Sequence, residues 1–171
     1  HGRPTIAWSH LKGVLRSHAE ALRDLDPCVT NEWIAALFGW DANAEGGDPK
    51  TGTLTGHALR WGSAPEDPWP IVWISTGREA GSRLPLDDTM RSAEHVRAGS
   101  RFKCELRLDR ADKKVEALLQ RLLKRTHRLG SSRTRGDGLI HLCWKRCEES
   151  TSANAGRLGV PRSGQRRLRL L

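Results

Sequence analysis

The sequence predicts an α+β fold, an antiparallel sheet carrying two helices on one face, and three observations carry that prediction. Two segments, one near each end of the chain, repeat apolar residues at helical spacing. Between and after them lie shorter segments of strand character, one of which alternates strictly. The chain has 171 residues, 37% of them hydrophobic, which suits a single domain with one core.

Taken in order, residues 9–25 place Leu11, Val14, Leu15, His18, Leu22 and Leu25 on one face of a helix. Ser9 is the expected N-cap, and residues 24–27, ending in Pro27, close the element. His18 lies on the apolar stripe and reads as a core or boundary residue. A second, short helix fits Asn31–Phe38, with Gly39 at its end. Residues 41–51 form a loop through Gly46, Gly47 and Pro49, leading into strands at 53–61 and Ile71–Ser75 with a turn-rich connection at 62–70. Residues 76–99 show mixed charge and almost no apolar periodicity. They read as a long excursion, and such loops in a compact domain are usually functional or disordered.

Arg101–Asp109 is the clearest strand: Phe102, Cys104, Leu106 and Leu108 alternate with Arg101, Lys103, Glu105 and Arg107. Val115, Leu118, Leu119, Leu122 and Leu123 then repeat at helical spacing within residues 111–127. A Gly-rich loop at 129–138 leads into a last strand at 139–144. This order suggests a ferredoxin-like sandwich with a long inserted loop. Its first strand is expected to be missing, because only eight residues precede the first helix. The expected organisation is a domain over residues 1–150 and a flexible, Arg-rich tail over 151–171.

Twenty-nine Lys and Arg against 20 Asp and Glu give a formal charge of +9 and point to a polyanionic partner. From Thr151 onward stand five Arg and no acid, so the tail supplies +5 of that charge. Residues 151–165 read as an extension that orders on a partner or is simply solvated. The longest apolar run, through Ile71 and Ile74, falls far short of the ~20 residues that cross a bilayer. No membrane partner and no secretory signal are expected. The chain opens on His1, so it reads as a fragment or a processed product. Four Cys without a CxxC pair read as reduced thiols of a cytoplasmic protein, and no cofactor or metal is implied.

Two segments carry candidate chemistry. In Leu129–Gly138 three glycines and two arginines stand between a helix and a strand. Glycine brings backbone N–H groups close to phosphate oxygens, and Arg133 and Arg135 add charge-assisted bonds. The loop lacks the P-loop signature, and taken alone it is equally a plain helix-to-strand turn. The second segment is the helix start Ser9-His10-Leu11-Lys12-Gly13-Val14-Leu15-Arg16, where N–H groups and macrodipole favour anions and Lys12 and Arg16 share a face away from the leucines. By itself it is a solvated basic face as readily as a binding one.

Together the two segments resemble the "SSLKGxLR" helix start and the Gly-rich loop of the RAMP superfamily of CRISPR-associated proteins. Leu37-Phe38-Gly39, Gly52-Thr53-Leu54 and residues 94–102 fit the landmarks between them, and the likeness extends over roughly residues 3–145, closest to the backbone subunits of type III effector complexes. It implies an RRM-like ferredoxin fold whose subunits stack along a CRISPR RNA (crRNA), with complementary target RNA and other effector subunits as partners. On this resemblance Ser9, His10, Lys12, Gly13 and Arg16, with Gly130, Arg133, Arg135, Gly136 and Gly138, are RNA-binding residues. The excursion matches a thumb that wedges the guide–target duplex, making Arg78, Arg83 and Arg91 possible contacts.

The sequence departs from that pattern in three places. Trp8 stands where a small Gly is usual and His10 where a Ser is usual. The aspartate with which cleaving subunits cut target RNA precedes the helix motif, at or before the start of this chain, so no catalytic residue is assigned. Two other readings stay open. One is a metal-independent endoribonuclease that processes precursor crRNA through His10, His18 or His57. The other is a general RNA-binding module stacking bases on Trp61, Trp73, Phe102 or Trp144, although most Trp read as core.

Overall fold

A computed structural model of the chain describes residues 3–39, 51–63, 70–78, 80–81, 84–109, 112–130, 137–147 and 165–170. In chain order the elements are β1 (Thr5–Ile6), α1 (Trp8–Leu25), α2 (Asn31–Phe38), β2 (Leu54–Gly56), β3 (Leu59–Ser63), β4 (Ile71–Ser75), β5 (Arg91–His95), β6 (Arg101–Asp109), α3 (Lys113–Arg125), β7 (Trp144–Cys147) and β8 (Gln165–Leu170). Among the described residues the fold is α+β. An antiparallel sheet in the order β1-β3-β6-β8-β7 carries three helices, and β4 pairs with β5 alone as a two-stranded arm.

The alternating strand lies at the centre of this sheet. One edge of β6 pairs with β2 and then β3, which together act as one interrupted strand, and the other edge pairs with β8. Its apolar side chains Cys104, Leu106 and Leu108 are buried with Leu54, Leu59 and Leu170 from the neighbouring strands. Onto them pack Leu11, Val14, Leu15, Ala19 and Leu22 of α1 and Val115, Leu118, Leu119, Leu122 and Leu123 of α3. Burying each such leucine contributes about 1.5–3 kcal/mol, so these two stripes dominate the stability of the fold.

The first helix begins earlier than its sequence signal suggests. Ala7, not Ser9, is the N-cap, and its carbonyl accepts from the N–H of His10 and Leu11. The earlier start lets Trp8 lie over Gly56, where a Cβ would come within 2.8 Å of the indole and 2.9 Å of Leu106. Leu25, expected on the apolar stripe, is 80% exposed, because the chain leaves the helix at Asp26. His18 does sit at the core boundary: its Nδ1 lies 3.1 Å from the hydroxyl of the buried Thr126, which donates in turn to Leu122 O.

The short helix α2 has the predicted bounds, with Thr30 Oγ1 accepting from Trp33 N–H at its start. Gly39 takes φ +89° at its end. There the chain is so close to residues 52–53 that a Cβ on Gly52 would fall onto backbone atoms of Leu37, Phe38 and Gly39, while Thr53 N–H and Oγ1 both donate to Ala36 O at 2.8 Å. In α3 Glu116 is 5% exposed, and its carboxylate pairs with the guanidinium of Arg146 on β7. That ion pair compensates a charge which would be costly to bury alone.

Four expectations are corrected. A first strand is present: Thr5 and Ile6 pair with Arg60 and Leu59, a two-residue ladder too short to leave a sequence signal. Ile71–Ser75 is a strand but belongs to the arm, and residues 76–99 are no plain excursion, because Arg91–His95 pairs with it throughout. The last strand of the Gly-rich region is Trp144–Cys147 rather than 139–144, with Leu139 74% exposed. Finally, part of the basic tail is structural: Gln165–Leu170 runs between β6 and β7, with Leu170 buried. The sheet therefore extends past residue 150, while 151–164 lie outside the described residues.

Two outcomes test this packing. Gly52→Ala forces a backbone shift at the α2 terminus and is expected to destabilise the protein by about 1–3 kcal/mol, read from the urea midpoint. Asp26 accepts from Arg121 Nη2 at 2.7 Å and from Cys28 N–H at 3.0 Å, and the Arg121 bond first, then the Cys28 bond, holds its carboxyl below the usual carboxylate range. A lowered folded-state value means that the stabilisation is full above the unfolded carboxylate range and fades as pH falls through the folded value. Arg121→Ala should raise the Asp26 titration midpoint by NMR, and its stability deficit should shrink toward acid pH.

Candidate functional site

The two motif segments, one at the start of the chain's first helix and one after its third, meet in space. Gly130 N–H donates to His10 Nε2 at 2.9 Å across 120 residues of sequence. A backbone N–H can only donate, so Nε2 is the acceptor and the neutral ring carries its proton on Nδ1. Gly130 has φ +104°, a conformation glycine adopts without strain, and the space around its Cα is open.

The Gly-rich loop is closed at its base. Leu129 N–H donates to Gly138 O at 2.8 Å, Arg128 and Leu139 form an antiparallel bridge, and Ile140 N–H donates to His127 O at 2.8 Å. Gly138 has φ +72°, and a Cβ there would fall onto Leu129 O, so this closure depends on glycine. Arg133, Arg135 and Gly136 lie outside the described residues.

On α1, Ser9, Lys12, Gly13 and Arg16 fall at helical spacing on the face opposite the buried leucines. Ser9 and Gly13 are exposed, Lys12 and Arg16 half-buried. Arg16 Nε is 3.1 Å from Glu20 Oε1, so part of its charge is already matched within the helix. No acid stands in the first turn and no side chain caps it, which leaves the early N–H groups and the macrodipole facing outward. Nothing lies within 4 Å of a Cβ built on Gly13. A mid-helix glycine costs roughly 0.5–1 kcal/mol relative to alanine, and the packing around Gly13 does not require it.

The arm joins the same region from the other side. His95 Nδ1 of β5 is 3.8 Å from Asp137 Oδ2 in the Gly-rich loop, and the His95 ring lies 5.4 Å from that of Trp73 of β4, tilted by 37°. Trp73 is 64% and Ile74 69% exposed, so the core role expected for most tryptophans does not extend to Trp73. Trp61 and Phe102 pair edge-on at 5.5 Å across β3 and β6. Of the arm arginines, Arg78 and Arg91 are exposed and Arg83 lies outside the described residues.

Nothing local in the sequence singles out His95 or Asp137, and Trp73 enters there only as one of four candidate stacking aromatics. The nearest signal is Ile71-Val72-Trp73-Ile74, four large apolar residues in succession without the polar alternation of a half-buried strand. Among the described residues no group of three or more His, Cys, Asp or Glu is placed to hold a metal ion. Among them, too, no helix is long and apolar enough to cross a membrane. Burial pushes the Cys104 thiol up, its Sγ lying 3.0 Å from His57 O, whereas Cys28 and Cys143 are exposed.

Compared with family models and with curated protein sequences, the chain matches none. The geometry of the junction has its own test. His10→Ala removes the acceptor of the Gly130 N–H, so amide exchange at Gly130 should accelerate while that at Leu129, bonded to Gly138, stays slow. Unchanged exchange at Gly130 would mean that His10 does not hold the loop.

Proposed function

We propose that the chain is a crRNA-binding RAMP protein, a backbone-type subunit of a type III RNA-guided antiviral effector complex acting in the cytoplasm. The observation that carries this reading is the bond between Gly130 and His10, because it unites the two segments on which the resemblance rests. Both are groups suited to phosphate: an uncapped helix start with Lys12 beside an exposed glycine, and a glycine loop followed by Arg133 and Arg135. The antiparallel sheet with helices is of the general ferredoxin-like type, with β1 at the sheet edge rather than inside it. The arm β4–β5, with its exposed Trp73, Ile74 and Met90, corresponds to the thumb and to its contacts with guide and target RNA.

In this reading the guide supplies sequence specificity by base pairing, and the protein recognises backbone and shape. Gly13 lets a phosphate approach the helix without a side chain between them. No catalytic residue is assigned.

The deciding experiment is sequencing of RNA that co-purifies with the expressed chain: short RNAs sharing a repeat-derived 5′ tag support the guide-binding role, and random RNA or none overturns it. Variants locate the RNA path. Lys12→Ala or Arg135→Ala should weaken binding equally for all sequences and lower the salt slope by roughly 0.7–0.9 per lost phosphate contact. Gly13→Ala should stabilise the free protein by about 0.5–1 kcal/mol and yet weaken RNA binding, a split that a purely structural glycine would not produce.

A further inference from the structure

The face of the sheet turned away from the helices carries a concentration of positive charge that the helix–loop site does not use. Side chains alternate across a strand, so the buried Cys104, Leu106 and Leu108 of β6 leave Lys103, Glu105 and Arg107 on the opposite face. Lys103 stands directly opposite Arg60 of β3, and both are exposed. Beyond β6, Arg169 of β8 holds the register position between Glu105 and Lys145, and Arg167 the position between Arg107 and Cys147. By register, the positions of Arg60, Lys103, Arg107, Lys145, Arg167 and Arg169 thus belong to one face of four adjacent strands, together with those of the acids Glu105 and Asp109. Arg107 Nε lies 3.8 Å from Glu105 Oε1 and, itself buried, has no hydrogen-bond partner among the described residues.

Folding does not call for this arrangement. Like charges directly opposite on paired strands repel, and any β-branched or aromatic residue would serve the exposed positions of these strands better. Same-face residues along a strand repeat about every 7 Å, close to the separation of successive phosphates in an extended single strand. Trp61 and Phe102, the aromatic pair of β3 and β6, lie on the other register set, so they offer no platform for bases on this face.

We infer that the outer sheet face binds the phosphodiester backbone of a nucleic-acid strand by charge, independently of sequence and of the α1–loop site. The C-terminal strand, by entering the sheet, brings two of the tail's arginines into register with the cations of β6 and β7. This goes beyond the proposed guide-binding site, which lies on α1 and the Gly-rich loop, and stands without it.

The test is binding of an oligouridylate single strand by the full chain over a salt series, with the paired variants Arg60→Gln/Lys103→Gln and Arg167→Gln/Arg169→Gln. Circular dichroism checks that each variant keeps its fold, and two pairs on different strands guard against the failure of one. Each pair is expected to weaken binding and to lower the slope of log K against log salt by about 1.4, roughly 0.7 for each lost contact to a single strand. Lys12→Ala, measured alongside, separates the two sites: a loss there with unchanged slopes in both sheet pairs overturns the sheet inference and leaves the helix–loop reading, and the reverse pattern upholds the sheet inference alone. Failure of the wild-type chain to bind oligouridylate overturns it as well. So does loss of polyglutamate binding in the pairs without loss of oligouridylate binding, since the partner would then be an acidic protein surface.

Discussion

The burial of one face of β6 beneath α1 and α3 is the constraint on which the other features of this protein depend. Cys104, Leu106 and Leu108 are the apolar register to which β2 and β3 pair on one side and β8 on the other. Because the side-chain period of a strand is two, the same register that seats the core sends Lys103, Glu105 and Arg107 to the opposite face. A slip of one residue would bury charge and expose leucine, so the cationic face is as firmly set as the core beneath it.

The helices that cover this core also determine where chemistry can occur. With its leucines turned to the sheet, α1 has no freedom to rotate, and Ser9, Lys12, Gly13 and Arg16 must point away. The approach of Trp8 to Gly56 fixes the start of the helix along its axis. His10, between the core face and the open face, then reaches Gly130 and ties the Gly-rich loop to the helix start. Two glycines with positive φ, Gly130 and Gly138, bound the stretch whose base the Leu129–Gly138 bond closes. The loop is therefore held at its ends by backbone bonds and a histidine.

The arm is a different kind of element. Among the described residues its two strands pair only with each other, and Val72, Trp73 and Ile74 remain more than half exposed, so what holds it there is cross-strand pairing and the contact of His95 with Trp73 and Asp137. An isolated hairpin is marginal in water, so large apolar side chains left exposed on it add little to its folding. The contacts of His95 with Asp137 and of Gly130 with His10 link the arm, the ends of the Gly-rich loop and the start of α1.

By itself the sequence determined the elements whose signal is local. The apolar periodicity of α1 and α3, the Gly39 terminus of α2, and the alternation of Arg101–Asp109 are written in neighbouring residues, because helical and extended dihedrals impose periods of 3.6 and 2 on whatever must be buried. The α+β class followed from them, as did the two segments that form the candidate site. Only the tertiary structure decided what depends on a partner distant in sequence. Thr5–Ile6 is a strand because β3 lies beside it, and Gln165–Leu170 is one because β6 and β7 leave a place for it, although the arginine-rich stretch from Thr151 onward reads as a flexible tail. Leu25 is exposed because the chain turns at Asp26, and Ile71–Ser75 joins the arm because Arg91–His95 pairs with it along its length. The bond from Gly130 to His10 belongs to the same class: its two ends are 120 residues apart, and nothing local to either states the distance between them.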